Sequence, residues 1–293
     1  MTVFSMPITM FLVLVFLTNQ QVFAAAPETN AVHESCIRIA KKLSSVKLNE
    51  CLERKLTHSG DFSEKQSPLL IKEYPPLNNR KPQARILMLG GIHGDEYSSV
   101  TIMFKWMTIL DKYHSGLFHW QISPLVNPDG LLQKKSQRMN ANGVDLNRNF
   151  RNDSEQNSSL KYWEKRTYKD PRRYPGKSPM SERETQWIDK LIKQFKPDAI
   201  VAVHAPFGIV DFDGPHKPPS RLGSLHLHLL GTYPGSLGNF AGIQLNIPVV
   251  TVELPYAGIM PSKNEINRIW VDLVRWLKHN IPAGKDENSI VSD

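Results

Sequence analysis

Three short, largely apolar runs constrain the fold of this chain more than any other feature. They are ARILMLGGI at residues 84–92, DAIVAVHA at residues 198–205 and IPVVTVELP at residues 247–255. A strand buried on one face alternates apolar and polar residues, whereas continuous apolar runs of this length are typical of strands covered on both faces. The runs therefore predict a buried sheet with helices packed on both sides.

Segments with helical spacing separate these runs. EYSSVTIMFKWMTILDKYH places its apolar residues along one side, and NEINRIWVDLVRWLKHN is amphipathic. SERETQWIDKLIKQF begins with Ser181 and Glu184 at capping-box spacing, which indicates the start of a helix. This alternation predicts an α/β fold, a three-layer α/β/α arrangement with a mixed, mostly parallel sheet.

Residues 1–26 have the pattern of a secretory signal peptide. Their apolar core, MPITMFLVLVFL, is too short to span a bilayer, and VFAAA offers small residues for cleavage. No Lys or Arg precedes the core, so a retained N-terminal anchor stays open as an alternative. We expect an exported protein, periplasmic if the source is a Gram-negative bacterium, with no membrane span in the mature chain.

Residues 27–80 form a polar lead-in that contains both cysteines of the chain, Cys36 and Cys51. In an oxidising compartment, two nearby cysteines predict one disulfide that ties down this segment, and a pair of buried thiols is the alternative. Residues 81–282 then form the main domain, and residues 283–293 form a polar tail.

The formal net charge of +8 raises the question of an anionic partner. The densest basic cluster, KYWEKRTYKDPRRYPGK at residues 161–177, interleaves Tyr and Trp, as nucleic-acid-binding surfaces do. An exported protein rarely meets nucleic acid, so we expect no such partner and interpret the cluster as a basic loop that attracts acidic substrate. The surrounding segment, residues 151–179, is long for a connection and is predicted to line or cover a site.

Side chains that can bind a metal stand where two of the predicted strands end. His93 and Glu96 follow the first run three residues apart, after glycines that allow a sharp turn. His204 ends the second run, so it can reach the same edge of the sheet. Two histidines and a carboxylate match a catalytic zinc site, which has three protein ligands and a fourth position for water.

Further polar residues suggest what such a metal would serve. Glu253 lies inside the third apolar run, where a carboxylate is costly unless it is paired or its raised pKa is useful. A general base beside a metal site is one such use. RMNANGVDLNRNF adds Arg138, Asn147 and Arg148, which can polarise a carbonyl or grip a carboxylate.

Several motifs occur in the order seen in one family of enzymes. GGIHGDE, NPDG, RMNANGVDLNRNF, PGKSPMSERET, VHAPFGIVDFDGP and YPGSLGNFAG with PVVTVELP together resemble the M14 zinc carboxypeptidases, most of all their bacterial murein-peptide amidase and carboxypeptidase branch. The resemblance runs from about Arg85 to Trp276. It implies one Zn²⁺ per chain held by His93, Glu96 and His204, with Glu253 as general base, Arg138 stabilising the oxyanion, and Asn147 with Arg148 binding the terminal carboxylate of the substrate.

The resemblance is less direct around Tyr233. Pancreatic-type members have a mobile active-site tyrosine some residues before a Gly-Ser motif, whereas Tyr233 stands only two residues before it, so Tyr233 is either a substrate-binding residue or a turn aromatic. Leu237 and Gly238 are expected near the specificity pocket by similarity. We interpret Asp211 and Asp213 as residues that shape the turn after the second run, and a calcium-binding loop is the alternative.

The resemblance implies a zinc metallocarboxypeptidase or amidase, with residues 81–282 as its catalytic domain. Its implied substrate is a small carboxylate-bearing peptide, a peptidoglycan stem peptide cut at the bond to meso-diaminopimelate. One alternative is a zinc deacylase of the aspartoacylase or succinylglutamate desuccinylase type, against which NPDG and the leader argue. Another is a non-catalytic peptide-binding envelope protein, which the complete set of ligands and base disfavours. The oligomeric state is unknown.

Overall fold

The computed structural model describes Met1 and residues 27–77, 80–152 and 158–282. Its helices are α1 Pro27–Lys42, α2 Leu48–Glu53, α3 Tyr97–Tyr113, α4 Pro128–Leu131, α5 Ser158–Arg166, α6 Arg183–Phe195 and α7 Lys263–Asn280. Its strands are β1 Thr57–Phe62, β2 Pro68–Tyr74, β3 Ala84–Leu89, β4 Phe118–Ser123, β5 Ala199–His204, β6 Ile209–Asp213, β7 Arg221–Leu222, β8 Leu225–Leu227 and β9 Val249–Glu253. Turns of 3₁₀-helix cover Leu146–Arg148 and Pro171–Arg173, and Gly238–Gln244 is π-helical.

Two of the sequence predictions fall outside the part of the chain that is described. These are the signal peptide, apart from Met1, and the polar tail at residues 283–293. Among the described residues, no helix has the length and apolar character needed to cross a membrane.

The strands of the described chain form one sheet in the order β1-β2-β4-β3-β5-β9-β6-β8-β7. Its centre, β4-β3-β5-β9, is parallel, and it contains all three apolar runs of the sequence. The flanking strands pair antiparallel except for β6 with β8. The expected mixed sheet of an α/β fold is confirmed, but it is not mostly parallel: of the eight strand pairings in the described chain, four are parallel and four antiparallel. The parallel pairings are concentrated where the strands are buried on both faces.

Helices cover both faces of the central strands, as the continuous apolar runs predicted. In β3, Ile86 and Met88 point into one core, whereas Leu87 and Leu89 point into the other, because successive side chains of a strand face opposite ways. Apolar residues of α3 and α7 fill the first core, and those of α6 fill the second. The carboxyl ends of β3, β5 and β9 are thereby held rigidly at one edge.

The region before residue 80 contains two strands that the sequence analysis did not identify. β1 pairs antiparallel with β2, and β2 joins the sheet by pairing with β4. β1 is an edge strand whose residues are exposed or half-buried, so it lacks the apolar alternation that identifies a strand. The division near residue 80 into a lead-in and a catalytic domain stays a prediction.

A disulfide joins the first two helices. Cys36 in α1 and Cys51 in α2 are bonded, both are fully buried, and their Cα atoms are 5.6 Å apart. This confirms the pairing expected from the two cysteines of the chain.

A buried glutamate lies at the start of α6. Glu184 is fully buried, and its carboxylate accepts hydrogen bonds from the backbone N–H of Glu64 at 3.3 Å and from Nδ2 of Asn140 at 3.2 Å. Nδ2 of Asn140 also donates to Oε2 of Glu182 at 2.7 Å, so two carboxylates share one amide. Burial is the main reason that the pKa of Glu184 is raised to about 7.

We expect the protein to lose stability as the pH rises from about 4.5 to about 7, and Glu184→Gln to lose much of this dependence. The unfolded chain releases the Glu184 proton near its ordinary pKa of 4.5, whereas the folded chain keeps it until about 7, so ionisation favours the unfolded state across that window. Across this window the free energy of unfolding falls by an amount on the order of 3 kcal/mol. Above about pH 7 the effect levels off.

Urea unfolding at pH 5 and pH 8 measures this difference. Glu34→Gln, at an exposed glutamate of α1, is the matched control and should keep the wild-type dependence. The same pH dependence in Glu184→Gln and in the wild type would show that another group is responsible.

Candidate active site

The chain turns sharply after β3 and brings His93 beside Glu96. Gly91 has a φ of +61°, a conformation that glycine adopts without strain. A Cβ at Gly94 would overlap the backbone of Gly130, so only glycine allows the two segments to approach this closely. Glu96 is the last residue before α3, so the turn ends where the helix fixes its position.

His93, Glu96 and His204 come together as the sequence predicted. Nδ1 of His93 lies 2.8 Å from Oε1 of Glu96 and 3.0 Å from Nδ1 of His204, which lies 3.1 Å from Oε2 of Glu96. All three side chains are buried, and their ligand atoms lie within 4.8 Å of one another. Two imidazole nitrogens and a carboxylate oxygen are donors that zinc takes, and one cation would satisfy both facing nitrogens. The residues present therefore fit a zinc ion.

Asp145 holds the far side of the His93 ring. Its Oδ1 accepts hydrogen bonds from Nε2 of His93 and from the backbone N–H of Asn147, each at 3.0 Å. Its Oδ2 accepts from Nε of Arg138, also at 3.0 Å. A carboxylate on the outer nitrogen of a ligating histidine fixes the tautomer and the orientation of the ring.

Asp145 is an anion in this environment. Burial opposes ionisation, but the charges of Arg138 and His93 outweigh it and hold the pKa of Asp145 well below its ordinary value. The role of Asp145 was not predicted from the sequence, although its position in VDLNRNF, two residues before Asn147, was a visible signal.

Arg138 reaches from Asp145 towards the histidine cluster. Its Nη1 lies 3.4 Å from Oε1 of Glu96, and about a fifth of its side chain is exposed, 19%. Asp145 thus anchors the guanidinium at one nitrogen and leaves the rest of it next to the predicted metal ligands.

Glu253 ends β9 directly opposite His204 of β5 in the sheet register. It is 7% exposed, and its Oε2 is buried with no hydrogen-bond partner in the described parts of the chain. Burial is the main reason that the pKa of Glu253 is raised; the charge of His204 opposes the shift and that of Glu96 adds to it. A buried carboxylate oxygen without a partner is available to a molecule that enters the site.

Asn147 and Arg148 lie in the 3₁₀ turn that follows Asp145. Oδ1 of Asn147 accepts a hydrogen bond from the backbone N–H of Leu237 at 2.8 Å. The guanidinium carbon of Arg148 lies 4.5 Å from the centroid of the Tyr233 ring, which fixes Tyr233 beside the predicted carboxylate-binding residues.

One cavity of about 330 Å³ brings all of the predicted site residues together. They are His93, Glu96, Arg138, Asn147, Arg148, His204, Tyr233 and Glu253. Leu237 and Gly238 also line it, where the resemblance placed them.

The long polar segment at residues 151–179 reaches the cavity, as expected. Asp170, Arg172 and Arg173 line it, and Nη2 of Arg172 donates to Oδ2 of Asp95 at 2.8 Å. Because Asp95 stands between His93 and Glu96 in the sequence, this ion pair ties the segment to the loop of the predicted metal ligands.

The interpretation of Asp211 and Asp213 as turn residues was wrong. Both lie in strand β6, and both line the cavity. The signal in the sequence was the alternation in IVDFD, where two acidic residues share one face of a strand.

Comparison with known proteins identifies the family of this chain. The zinc carboxypeptidase model of family M14 matches residues 58–207, a range that begins within β1. Murein peptide amidase A of Escherichia coli strain K12 is 32% identical over 201 residues, which cover 65% of this chain and 79% of that protein.

Solved structures show the same fold. The murein-tripeptide amidase of Escherichia coli O157 superposes with a TM-score of 0.51 at 27% identity, covering 77% of this chain and 92% of that one. Bovine thrombin-activatable fibrinolysis inhibitor, at 17% identity, superposes with a TM-score of 0.56 and covers 86% of this chain and 96% of that one, which is a likeness of fold alone. The family model matches half of the chain, and murein peptide amidase A is 32% identical with 79% of its length covered. The chain therefore belongs to the M14 zinc carboxypeptidases and is a hydrolase.

Proposed function

We propose that this chain is a zinc-dependent metallocarboxypeptidase or amidase that hydrolyses an amide bond in a small, carboxylate-bearing peptide. The observation that carries the proposal is the shared cavity. It holds a His-Glu-His group suited to a metal, an unpartnered buried carboxylate and an arginine side by side.

His93, Glu96 and His204 would hold one Zn²⁺ per chain. When bound, zinc supplies Lewis-acid chemistry, which polarises a carbonyl and makes water more acidic at neutral pH. The outer hydrogen bond from His93 to Asp145 keeps the imidazole oriented for this role.

Glu253 is the general base of the proposed reaction. Its free Oε2 accepts the proton of the attacking water, and the same carboxylic acid then delivers that proton to the leaving amine. A pKa raised by burial suits both steps, because the group must take the proton and give it up again within one cycle. Arg138 donates hydrogen bonds to the oxyanion that develops on the carbonyl oxygen.

Asn147 and Arg148 bind the terminal carboxylate of the peptide. A guanidinium matches a carboxylate with two parallel hydrogen bonds, and Tyr233 packs over that guanidinium. Binding the carboxylate here sets which amide bond lies beside Glu253, so the pair selects the last residue of the substrate.

The relatives support a peptidoglycan stem peptide as substrate, cut at the bond to meso-diaminopimelate. Two of them are named murein peptide amidase and murein-tripeptide amidase. Arg172 and Arg173 at the cavity suit an anionic peptide of this kind. The leader at residues 1–26 supports export, to the periplasm in a Gram-negative source.

Incubation of the purified zinc-loaded protein with L-Ala-γ-D-Glu-meso-diaminopimelate and the corresponding tetrapeptide tests the proposal. We expect release of diaminopimelate or of the terminal alanine, identified by mass. Cleavage of N-acetylaspartate or N-succinylglutamate instead would support the deacylase. Bound zinc with no cleavage of any of these compounds would support a non-catalytic binding protein.

We expect Asp145→Asn to weaken zinc binding by about 10–100-fold, the range found when the partner of a ligating histidine is removed. The amide keeps the shape of the side chain but loses the negative charge that orients His93. Competition with a chelator of known affinity measures the change, and circular dichroism verifies folding. Unchanged zinc affinity in a folded Asp145→Asn protein would show that the bond to His93 does not tune the metal.

A further inference from the structure

Strand β6 contributes two acidic residues to the cavity, Asp211 and Asp213. This strand runs antiparallel to β9, with Ile209 opposite Glu253 and Asp211 opposite Thr251. Because alternate residues of a strand share a face, Asp211 and Asp213 lie on the same face as Glu253, about 7 Å and about 14 Å along the strand from it. They therefore form a row that leads away from the general base.

These two carboxylates have no counter-charge from the part of the chain that the structure describes. Oδ1 of Asp211 accepts a hydrogen bond from the backbone N–H of Leu230 at 3.0 Å, and its side chain is 6% exposed. Within residues 27–77, 80–152 and 158–282, Oδ2 of Asp211 and both oxygens of Asp213 have neither a hydrogen bond nor an ion pair. Burial first, and the charge of Asp211 second, raise the pKa of Asp213 to about 6. Asp211 is buried and Asp213 is half-buried, and two neighbouring carboxylates without a counter-charge disfavour each other's charged form unless a cation joins them.

The surrounding walls leave room for an aliphatic chain beside these carboxylates. Ala202 and Thr251 are small residues of β5 and β9, and Leu237 offers an apolar surface. A Cβ at Gly238 would overlap the carboxylate of Asp213, so glycine at this position leaves room for the acidic group.

In the proposed function, another part of the same cavity binds the terminal carboxylate of the substrate. Asn147 and Arg148 are the carboxylate-binding residues there. A ligand that pairs with Arg148 and also with the two aspartates carries a carboxylate and, at the end of an aliphatic side chain, a positive charge.

We propose that Asp211 and Asp213 form a specificity pocket for a substrate residue whose side chain ends in an ammonium group, on the carboxyl side of the cleaved bond. The proposal rests on the proposed function, because it assigns the substrate class of the same site. Lysine and diaminopimelate share this ammonium on an aliphatic stem, and diaminopimelate carries a further carboxylate next to it.

A series of peptides that differ only in the last residue tests this pocket. We would compare peptides ending in meso-diaminopimelate, lysine, norleucine and glutamate; norleucine keeps the aliphatic stem of lysine without its ammonium. We expect a kcat/KM at least about 10-fold higher for the two ammonium-bearing residues than for norleucine, the size of one charged contact. A diaminopimelate peptide cleaved much faster than the lysine peptide would show that the protein also recognises the side-chain carboxylate of diaminopimelate.

Asp211→Asn and Asp213→Asn should lower the ratio of lysine to norleucine towards one, chiefly by raising KM for the lysine peptide. Asp61→Asn is the control, since it removes the same charge from a residue that is paired with Lys190 and lies outside the cavity. It should keep the wild-type ratio. Norleucine cleaved as fast as lysine by the wild type would overturn the proposal.

Calorimetric binding of free L-lysine and L-norleucine to the zinc-loaded protein separates this proposal from the proposed function. If no peptide of the series is cleaved, the proposed function fails, and the two amino acids still report on the pocket. Lysine bound more tightly than norleucine, with the difference lost in Asp213→Asn, supports the pocket. Equal binding of the two overturns it.

Discussion

Glu253→Gln is expected to lower kcat/KM on the stem tripeptide by about 10²–10⁴-fold, the usual contribution of a general base, while zinc content stays near one per chain. Glutamine has almost the same shape as glutamate but cannot accept the proton of the attacking water. Steady-state kinetics with the tripeptide and elemental analysis of the same preparation measure both quantities.

The structure gives a reason to expect activity and metal binding to separate in this variant. Glu253 is not among the residues whose ligand atoms converge, and its Oε2 has no partner in the described chain that the substitution would disrupt. Removal of the charge also removes the cost of burying an anion, so Glu253→Gln should be at least as stable as the wild type.

Two outcomes would contradict the assignment of Glu253 as base. Activity within about 10-fold of the wild type would mean that another group takes the proton. Loss of zinc together with activity would mean that Glu253 supports the metal ligands instead. Glu34→Gln, at an exposed glutamate of α1, is the control and should change neither quantity.

The sequence was most informative where a polar residue stands inside an apolar run, because few structural roles explain it there. A carboxylate inside a β-branched run is costly in a core, so the sequence drew attention to Glu253 by itself, whereas His204 was predicted as a site residue only together with His93 and Glu96. The parallel centre of the sheet followed from the same runs. Because parallel strands bring their carboxyl ends to one edge, these residues were then expected to meet, and the structure places them opposite each other.

The sequence was least informative where a residue's role depends on what lies beside it. Asp145 stands in a polar segment full of plausible turn residues, and only the three-dimensional structure shows its bonds to His93 and Arg138. Asp211 and Asp213 occupy a short strand whose acidic face looks like a solvated one until β9 and Gly238 close around it. Edge strand β1 lacks a buried face, so it left no periodic signal.

His204→Ala is expected to abolish stoichiometric zinc binding and, with it, hydrolysis of the tripeptide. His204 supplies one of three converging ligand atoms, and its loss leaves one imidazole and one carboxylate, fewer than the three protein ligands of a catalytic zinc site. Because His204→Ala removes a predicted ligand, its zinc affinity should fall by more than the roughly 10–100-fold expected for Asp145→Asn, which removes only the partner of a ligating histidine. Zinc content after dialysis and the activity of the same samples measure the effect.

Thermal unfolding with and without added zinc distinguishes loss of the metal from loss of the fold. A ligand that binds only the folded state raises Tm, so zinc should raise the Tm of the metal-free wild type and have little effect on His204→Ala. His226→Ala, at an exposed histidine of β8 outside the cavity, should respond to zinc as the wild type does. A His204→Ala protein that keeps one zinc per chain would place the metal elsewhere. Full activity of the wild type after exhaustive chelation would remove zinc from the reaction.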